Sequence, residues 1–173
     1  YQKIANKSLI EINVIKARKF KQIKKVILVY NKKDSKRVKS LKLKNVKLIL
    51  GGKNRQQSAF KALKHLNNTK GISKVLIHDV ARPNFSLKLF SSIIRNMRNA
   101  RAVVPKINIS DAVKQKIDTS KYEYIVGKNR DNLFLTQTPQ AFILKEIYHL
   151  HKTNAVKYRD DDVSLYMDLN NIK

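Results

Sequence analysis

The segment Val75-Leu76-Ile77-His78-Asp79-Val80-Ala81-Arg82-Pro83 sets a carboxylate and a guanidinium directly after a short apolar run. In open α/β sheets, ligands bind in the crevice beyond the carboxyl ends of the strands. Asp79 and Arg82 therefore stand where phosphate and ribose chemistry takes place in such sheets. A structural salt bridge would use the same two residue types. His78 precedes the pair and is expected to orient the loop.

A second cluster, Gly51-Gly52-Lys53-Asn54-Arg55-Gln56-Gln57-Ser58, joins a strand to a helix. Paired glycines let a backbone approach a planar or charged ligand, and the N–H groups of a helix N-terminus favour an anion. Ser58 falls in the first helical turn, where its hydroxyl can meet a base edge or a carbonyl. The run matches neither the Walker nor the dinucleotide glycine fingerprint, and taken alone it reads equally as a plain turn. A third cluster is Arg130 with Gln137-Thr138-Pro139-Gln140. It offers hydroxyl and amide groups for a sugar phosphate and a bidentate fork for the phosphate itself. Asp160-Asp161-Asp162-Val163-Ser164 reads as helix capping for at least one carboxylate, or else as a cation site or an anchor for the wall of a site. The histidines at 65, 78, 149 and 151 show no metal-ligand spacing, and His149 and His151 do not share a helical face.

The elements that must hold these groups alternate between strand and helix periods. Lys25–Tyr30, Val46–Leu50, Lys74–His78 and Ala102–Val104 read as short strands. Gln56–Asn67 and Leu87–Asn99 read as helices, with Ala59, Phe60, Leu63 and Leu66 on one face of the first, and Leu87, Phe90, Ile94 and Met97 at core spacing in the second. This order predicts an α/β fold with a mostly parallel sheet covered by helices on both faces. After Pro105 the pattern changes: Ile107–Val113 and Tyr122–Val126 read as strands joined by the polar stretch Lys116–Lys121, a protruding β-hairpin arm over about 107–130. An isolated hairpin is marginal in water, so a two-fold homodimer in which a partner covers the arm is the preferred reading. The arm folding back on its own domain is the alternative. Helices are expected near Leu144–His151 and Asp162–Leu169.

The 173 residues suffice for one domain with a sizeable core. No apolar run is long enough to span a membrane, no signal-type stretch opens the chain, and there is no cysteine, which excludes disulfides and thiolate zinc sites. A cytoplasmic protein is expected. Thirty-eight Lys and Arg against 12 Asp and Glu give a net charge of +26. Such a charge invites a nucleic-acid reading. The lysines, however, are spread over nearly every segment, including Lys32, Lys61, Lys88, Lys114 and Lys145, with no stripe of interleaved aromatics. General basicity, without a specific nucleic-acid surface, is the favoured reading.

In order, Gly51-Gly52 with Arg55 and Ser58, His78-Asp79-Val80-Ala81-Arg82-Pro83, Ser110-Asp111-Ala112-Val113-Lys114, Arg130 with Gln137-Thr138-Pro139-Gln140, and Asp161-Asp162-Val163-Ser164 resemble one family. It is the 2-C-methyl-D-erythritol 4-phosphate cytidylyltransferase family, and the likeness covers nearly the whole chain. The resemblance implies a Rossmann-like nucleotidyltransferase fold and transfer of CMP from CTP to methylerythritol phosphate, with release of pyrophosphate, in non-mevalonate isoprenoid synthesis. It implies magnesium or another divalent cation as cofactor, with Asp79 in the metal shell. By matching positions, Gly51, Gly52, Ser58 and Asp79 bind the nucleotide, and Asp79 and Arg82 are the catalytic pair. Arg82, Arg130 and Thr138 bind the acceptor, Arg130 and Thr138 from across a dimer.

The chain also departs from the family. The family opens with a strand and a glycine-rich loop carrying an Arg and then a Lys, whereas this chain starts at Tyr1, after them. A later family lysine is matched by Asn171-Ile172-Lys173 only if a stretch has been deleted. The 173 residues are therefore expected to be inactive alone, with the middle of the sheet open. Lys53 stands where the family often has an acid, and Ala112 where many members have a threonine. A second isoprenoid-pathway domain fused after Lys173 is a further expectation. The rival readings are a ribitol-5-phosphate cytidylyltransferase and a catalytically inactive, basic RNA-binding protein.

Overall fold

The computed structural model describes residues 3–118, 123–154 and 158–167. β1 (Lys3–Ile4) and β2 (Lys7–Ser8) pair antiparallel through Ala5 and Asn6, both at positive φ. Ser8 then caps α1 (Leu9–Arg18): its hydroxyl accepts from the Glu11 N–H, and the Glu11 carboxylate takes the Ser8 N–H at 2.8 Å. This reciprocal box satisfies two donors that a helix start leaves unpaired. Apolar residues lie on several sides of α1 (Ile15 remains 44% exposed while Ile10 and Val14 are buried), so no clean periodicity marks this helix in the sequence.

β3 (Val26–Tyr30), α2 (Ser35–Ser40), β4 (Val46–Leu50), α3 (Arg55–Asn67), β5 (Lys74–Ile77), α4 (Leu87–Asn96) and β6 (Ala102–Val103) follow. The strands expected from periodicity therefore appear as β3 to β6, and the two expected helices as α3 and α4. β3 and β4 are β-branched, apolar and parallel, paired in register from Val26 opposite Val46 to Tyr30 opposite Leu50.

The remaining elements depart from the reading of the sequence. β7 (Lys106–Asn108) pairs antiparallel with β10 (Phe134–Thr136), while β8 (Val113–Asp118) pairs with β9 (Glu123–Lys128). The hairpin is thus Val113–Lys128, and Ile107 belongs to a separate short ladder rather than to the arm. β11 (Gln140–Ile143) lies antiparallel between β5 and β6. A mostly parallel sheet is therefore not what the described ladders form: β3–β4 is parallel, and β11 reverses the direction at the centre of the other group. Ala141 and Phe142 are adjacent, so they point to opposite faces, and both are fully buried in different cores; β11 is therefore covered on both sides.

α5 (Leu144–Thr153) continues from β11, and α6 (Ser164–Met167) closes the described chain; of the last helix expected over Asp162–Leu169, Asp162 and Val163 form the turn before it and residues 168–169 lie outside the described residues. The main core gathers Leu63 and Leu66 of α3, Val75 of β5, Phe142 of β11, Leu144, Ile147 and Leu150 of α5, and Leu165 and Tyr166 of α6. A second core joins α1, β3 and α2 through Ile10, Val14, Leu28 and Val38, and a third packs Ile93 and Met97 on Ala141. Among the described residues β3 and β5 share no ladder, and a cavity of about 980 Å³ lies against both. Leu28, Ala59, Leu63 and Leu76 line its depth, and Arg55, Ser58, His78 and Asp79 also border it.

Ile147 is fully buried in the main core. Ile147→Ala is expected to cost about 2–5 kcal/mol in chemical denaturation, because the lost contacts leave a cavity the helices cannot close. Ile125→Ser, at a position 70% exposed in the single chain, is expected to leave the unfolding free energy of the monomer within about 0.5 kcal/mol of the parent.

Candidate active site

His78 and Asp79 follow directly after β5 ends at Ile77. The imidazole is held from two sides. Nδ1 lies 3.0 Å from Thr138 Oγ1, and Nε2 lies 3.0 Å from both Asn13 Oδ1 and the Arg82 carbonyl. Phe85 packs edge-on against the ring at 4.7 Å. Burial pushes the His78 pKa below its ordinary value, against the pull of the Arg82 carbonyl and Asp79. The ring therefore works as a neutral strut. It ties α1, the loop after β5 and the loop before β11 into one unit, which is the orienting role its position suggested.

Asn13 and Lys16 of α1 complete that tie. Asn13 Nδ2 donates to the Val80 carbonyl at 3.0 Å, and Lys16 Nζ donates to the Pro83 and Phe85 carbonyls. Neither was legible as a site residue, since a lone Asn and a lone Lys on an unread helix carry no motif.

Asp79 lies between two guanidinium groups. Arg55 Nε is 3.5 Å from Oδ1, and Arg82 Nε is 3.6 Å from Oδ2. The Asp79 N–H donates to Thr138 Oγ1 at 3.2 Å, and an Arg82 N–H of the guanidinium donates to Gln137 Oε1. The Thr138–Pro139 peptide is cis. The structure thus brings Asp79, Arg82, Gln137 and Thr138 together within one chain, so Thr138, expected to reach the site from across a dimer, meets Asp79 and His78 of its own chain instead. It adds Arg55, whose Nη2 also meets Asp162 Oδ2 at 2.7 Å. Burial alone would lower the Arg55 pKa, but Asp162 and then Asp79 outweigh it and hold the guanidinium charged.

The glycine cluster is closed by its own hydrogen bonds. The Gly52 N–H donates to Ser58 Oγ at 3.0 Å, the Ser58 hydroxyl donates to the Asn54 carbonyl at 2.8 Å, and Asn54 Oδ1 caps the Gln57 N–H. The Gly51 carbonyl accepts from Lys61 Nζ at 2.8 Å. A Cβ on Gly52 would stand 2.4 Å from Gln57 Cβ, so only glycine fits there. With its hydrogen committed to Asn54, Ser58 has acceptor capacity to offer a ligand, and the Gly52 carbonyl offers the same.

Arg130 does not join the Asp79 cluster by any hydrogen bond or ion pair among the described residues. It donates instead to the Ser110 carbonyl at the base of the hairpin. The aspartate run divides its work. Asp161 accepts from Thr136, Gln140 and Ser164, and although burial raises its pKa these bonds together carry it below the usual carboxylate range. Asp162 faces Arg55 and the buried His151, whose Nε2 is 2.9 Å from Oδ1. Among the described residues no group of three or more His, Asp or Glu forms a metal cage. Asp79 nevertheless suits a cation held chiefly by phosphate oxygens and water, since such magnesium sites draw on only one or two carboxylates, and its side chain is 37% exposed with both present contacts long.

An α/β domain with a polar site at the tip of a strand, beside a Gly-Gly turn that opens a helix, defines the Rossmann-like nucleotidyltransferase class. Residues 1–169 match the family model for 2-C-methyl-D-erythritol 4-phosphate cytidylyltransferase, and the chain belongs to that family. It is 39% identical over 163 residues to a bifunctional enzyme IspD/IspF of Pelagibacter ubique, covering 93% of this chain and 42% of that protein. It is 44% identical over 125 residues to a 2-C-methyl-D-erythritol 4-phosphate cytidylyltransferase of Clostridium kluyveri, covering 68% of this chain and 50% of the relative. Among solved structures, 4-diphosphocytidyl-2C-methyl-D-erythritol synthase of Anaerococcus prevotii superposes with a TM-score of 0.84 at 31% identity, over 99% of this chain and 76% of that one. The chain spans half or less of the length of these two curated relatives.

The depressed His78 pKa has a measurable consequence. The unfolded chain takes up the proton first, near about pH 6.5, so this contribution to stability is complete above that value. It is lost as pH falls from there through the folded-state pKa. Thermal melts across that window should show a steeper acid slope for the parent than for His78→Gln.

Proposed function

We propose that the intact protein transfers CMP from CTP to 2-C-methyl-D-erythritol 4-phosphate. The observation that carries this reading is the Asp79 carboxylate at the tip of β5, between Arg55 and Arg82, in a chain of this family. An oxygen of the acceptor phosphate forms a bond to the α-phosphorus of CTP, the bond from that phosphorus to the β-phosphate oxygen breaks, and pyrophosphate leaves. Such transfer depends chiefly on positioning and on electrostatic stabilisation of the phosphoryl charge. The net charge of +26 also favours capture of a triphosphate.

The Gly51-Gly52 turn and Ser58 bind the cytosine, the Gly52 carbonyl and the Ser58 hydroxyl oxygen accepting from the two hydrogens of its amino group, while the Gly51 carbonyl stays with Lys61. Asp79 holds the ribose or the metal shell, and Arg82 and Thr138 hold the acceptor. A bound divalent cation supplies neutralisation of the triphosphate, and Asp79 is the side chain that would hold it. Arg130 meets acceptor phosphate across a homodimer. In support, Ile117, Ile125 and Val126 of the hairpin, with Phe134 and Leu135 of β10, are exposed apolar residues of a kind a second subunit would cover. The cavity between β3 and β5 supports a further strand completing the sheet in the intact protein. The bifunctional relatives support a second domain beyond this one. A cytoplasmic location accords with this reading; no helix among the described residues is long and apolar enough to cross a membrane.

Pyrophosphate release by the full-length protein should be seen with CTP, magnesium and methylerythritol phosphate. Turnover only with ribitol 5-phosphate would replace this acceptor with the rival one. RNA binding that survives high salt, without stabilisation by CTP, would favour the RNA-binding reading. Asp79→Ala is expected to lower kcat by about 100-fold or more with little change in melting temperature. A collapsed melt with normal turnover per folded molecule would make Asp79 structural. Arg130→Ala should raise KM for the acceptor by about tenfold and leave KM for CTP near the parent value; equal effects on both would remove its acceptor role.

A further inference from the structure

We infer that Asp162 is a positioning residue for the transfer step: it fixes the Arg55 guanidinium, and Arg55 in turn sets the Asp79 carboxylate. The inference rests on the proposed role of Asp79.

Four groups stand in a line. His151 Nε2 lies 2.9 Å from Asp162 Oδ1, Asp162 Oδ2 lies 2.7 Å from Arg55 Nη2, and Arg55 Nε lies 3.5 Å from Asp79 Oδ1. The first two side chains are 1% exposed, Arg55 is 29% exposed and Asp79 37%. The line therefore runs from the core to the solvent-facing tip of β5. A buried carboxylate is costly unless paired, so Asp162 holds Arg55 firmly. The planar guanidinium then presents its Nε–H to Asp79 at a fixed place, which an ammonium on a flexible stem cannot do.

The anchor is itself braced by its neighbours. His151 stacks parallel to Phe60 of α3, with centroids 6.5 Å apart. Asp161, the preceding residue, is bound by Thr136, Gln140 and Ser164, and the Val163 N–H donates to Gln140 Oε1. Arg82, on the other oxygen of Asp79, is the opposite case: it is 46% exposed, and apart from Asp79 its guanidinium meets the neutral Gln137 Oε1 where Arg55 meets a buried carboxylate. The two guanidinium groups around one carboxylate thus divide the work. Arg55 holds the carboxylate still, and Arg82 is left to meet substrate. At 3.5 Å the Arg55 contact is longer than a good hydrogen bond, so it orients Asp79 without occupying it.

The test uses the full-length protein with steady-state kinetics for Asp162→Asn, Arg55→Lys and the double variant. Asp162→Asn is expected to lower kcat by on the order of 10- to 100-fold with KM for the acceptor within about twofold, since misplacing a group that positions the triphosphate costs rate more than it costs acceptor binding. Arg55→Lys should do the same, and the double variant should be no slower than the slower single, because the residues act in series. Arg55 is part-exposed, so Arg55→Lys carries the test should Asp162→Asn fail to fold. A normal kcat per folded molecule in either variant, or effects that multiply in the double, would overturn the inference. The Arg55 Nε–H NMR resonance provides a reading without turnover. It should be sharp and protected from exchange in the parent and exchange-broadened in Asp162→Asn. If the parent fails to turn over with either acceptor, the proposed function falls, and an unchanged resonance in Asp162→Asn would then sink the positioning role by itself.

Discussion

A carboxylate in a protein interior must be neutralised where it stands, and Asp162 imposes that constraint on this fold. Its partners come from elements far apart in the chain: Arg55 opens α3, and His151 closes α5. Satisfying one buried charge therefore fixes how the first turn of α3 approaches the last turn of α5 and the start of α6. The tip of β5 is drawn into the same arrangement because Arg55 also faces Asp79. Isolated surface ion pairs contribute little, but this one is anchored on its acidic side in the core.

The second organising feature is β11. It supplies buried Ala141 and Phe142 to two cores and pairs with β5 on one side and β6 on the other. The segment entering it carries Gln137, Thr138 and Gln140, which bond to Arg82, Asp79, His78 and Asp161. Hydrophobic burial on one stretch and polar ties on the stretch before it thus act together. The packing of Phe142 carries Thr138 to the backbone of Asp79, and no local preference of either loop would do so.

Much of the site was legible because its residue types are informative even out of context. Gly51-Gly52 before a helix, a carboxylate and a guanidinium after an apolar run, and an aspartate run in a chain of net charge +26 all stand out against their surroundings. Their mutual distances were not legible. The roles of Asn13 and Lys16 were hidden because α1 lacks a clean apolar face. Arg55 was visible only as one member of the glycine cluster, since nothing local says that its guanidinium turns back toward Asp162 instead of toward a ligand.

Local pattern determined the positions of β3, β4, α3, β5 and α4, the Gly-Gly turn and the placement of Asp79 at a strand end, because side-chain periodicity and turn chemistry act over a few residues; the short α2 carried no such signal. Tertiary structure alone decided that β11 runs antiparallel through the centre, that Ile107 leaves the hairpin for β10, and that Arg55 bridges two carboxylates. Those outcomes depend on which distant surfaces bury each other and on which buried charge finds a partner. Both are long-range free-energy choices that no short window of sequence contains.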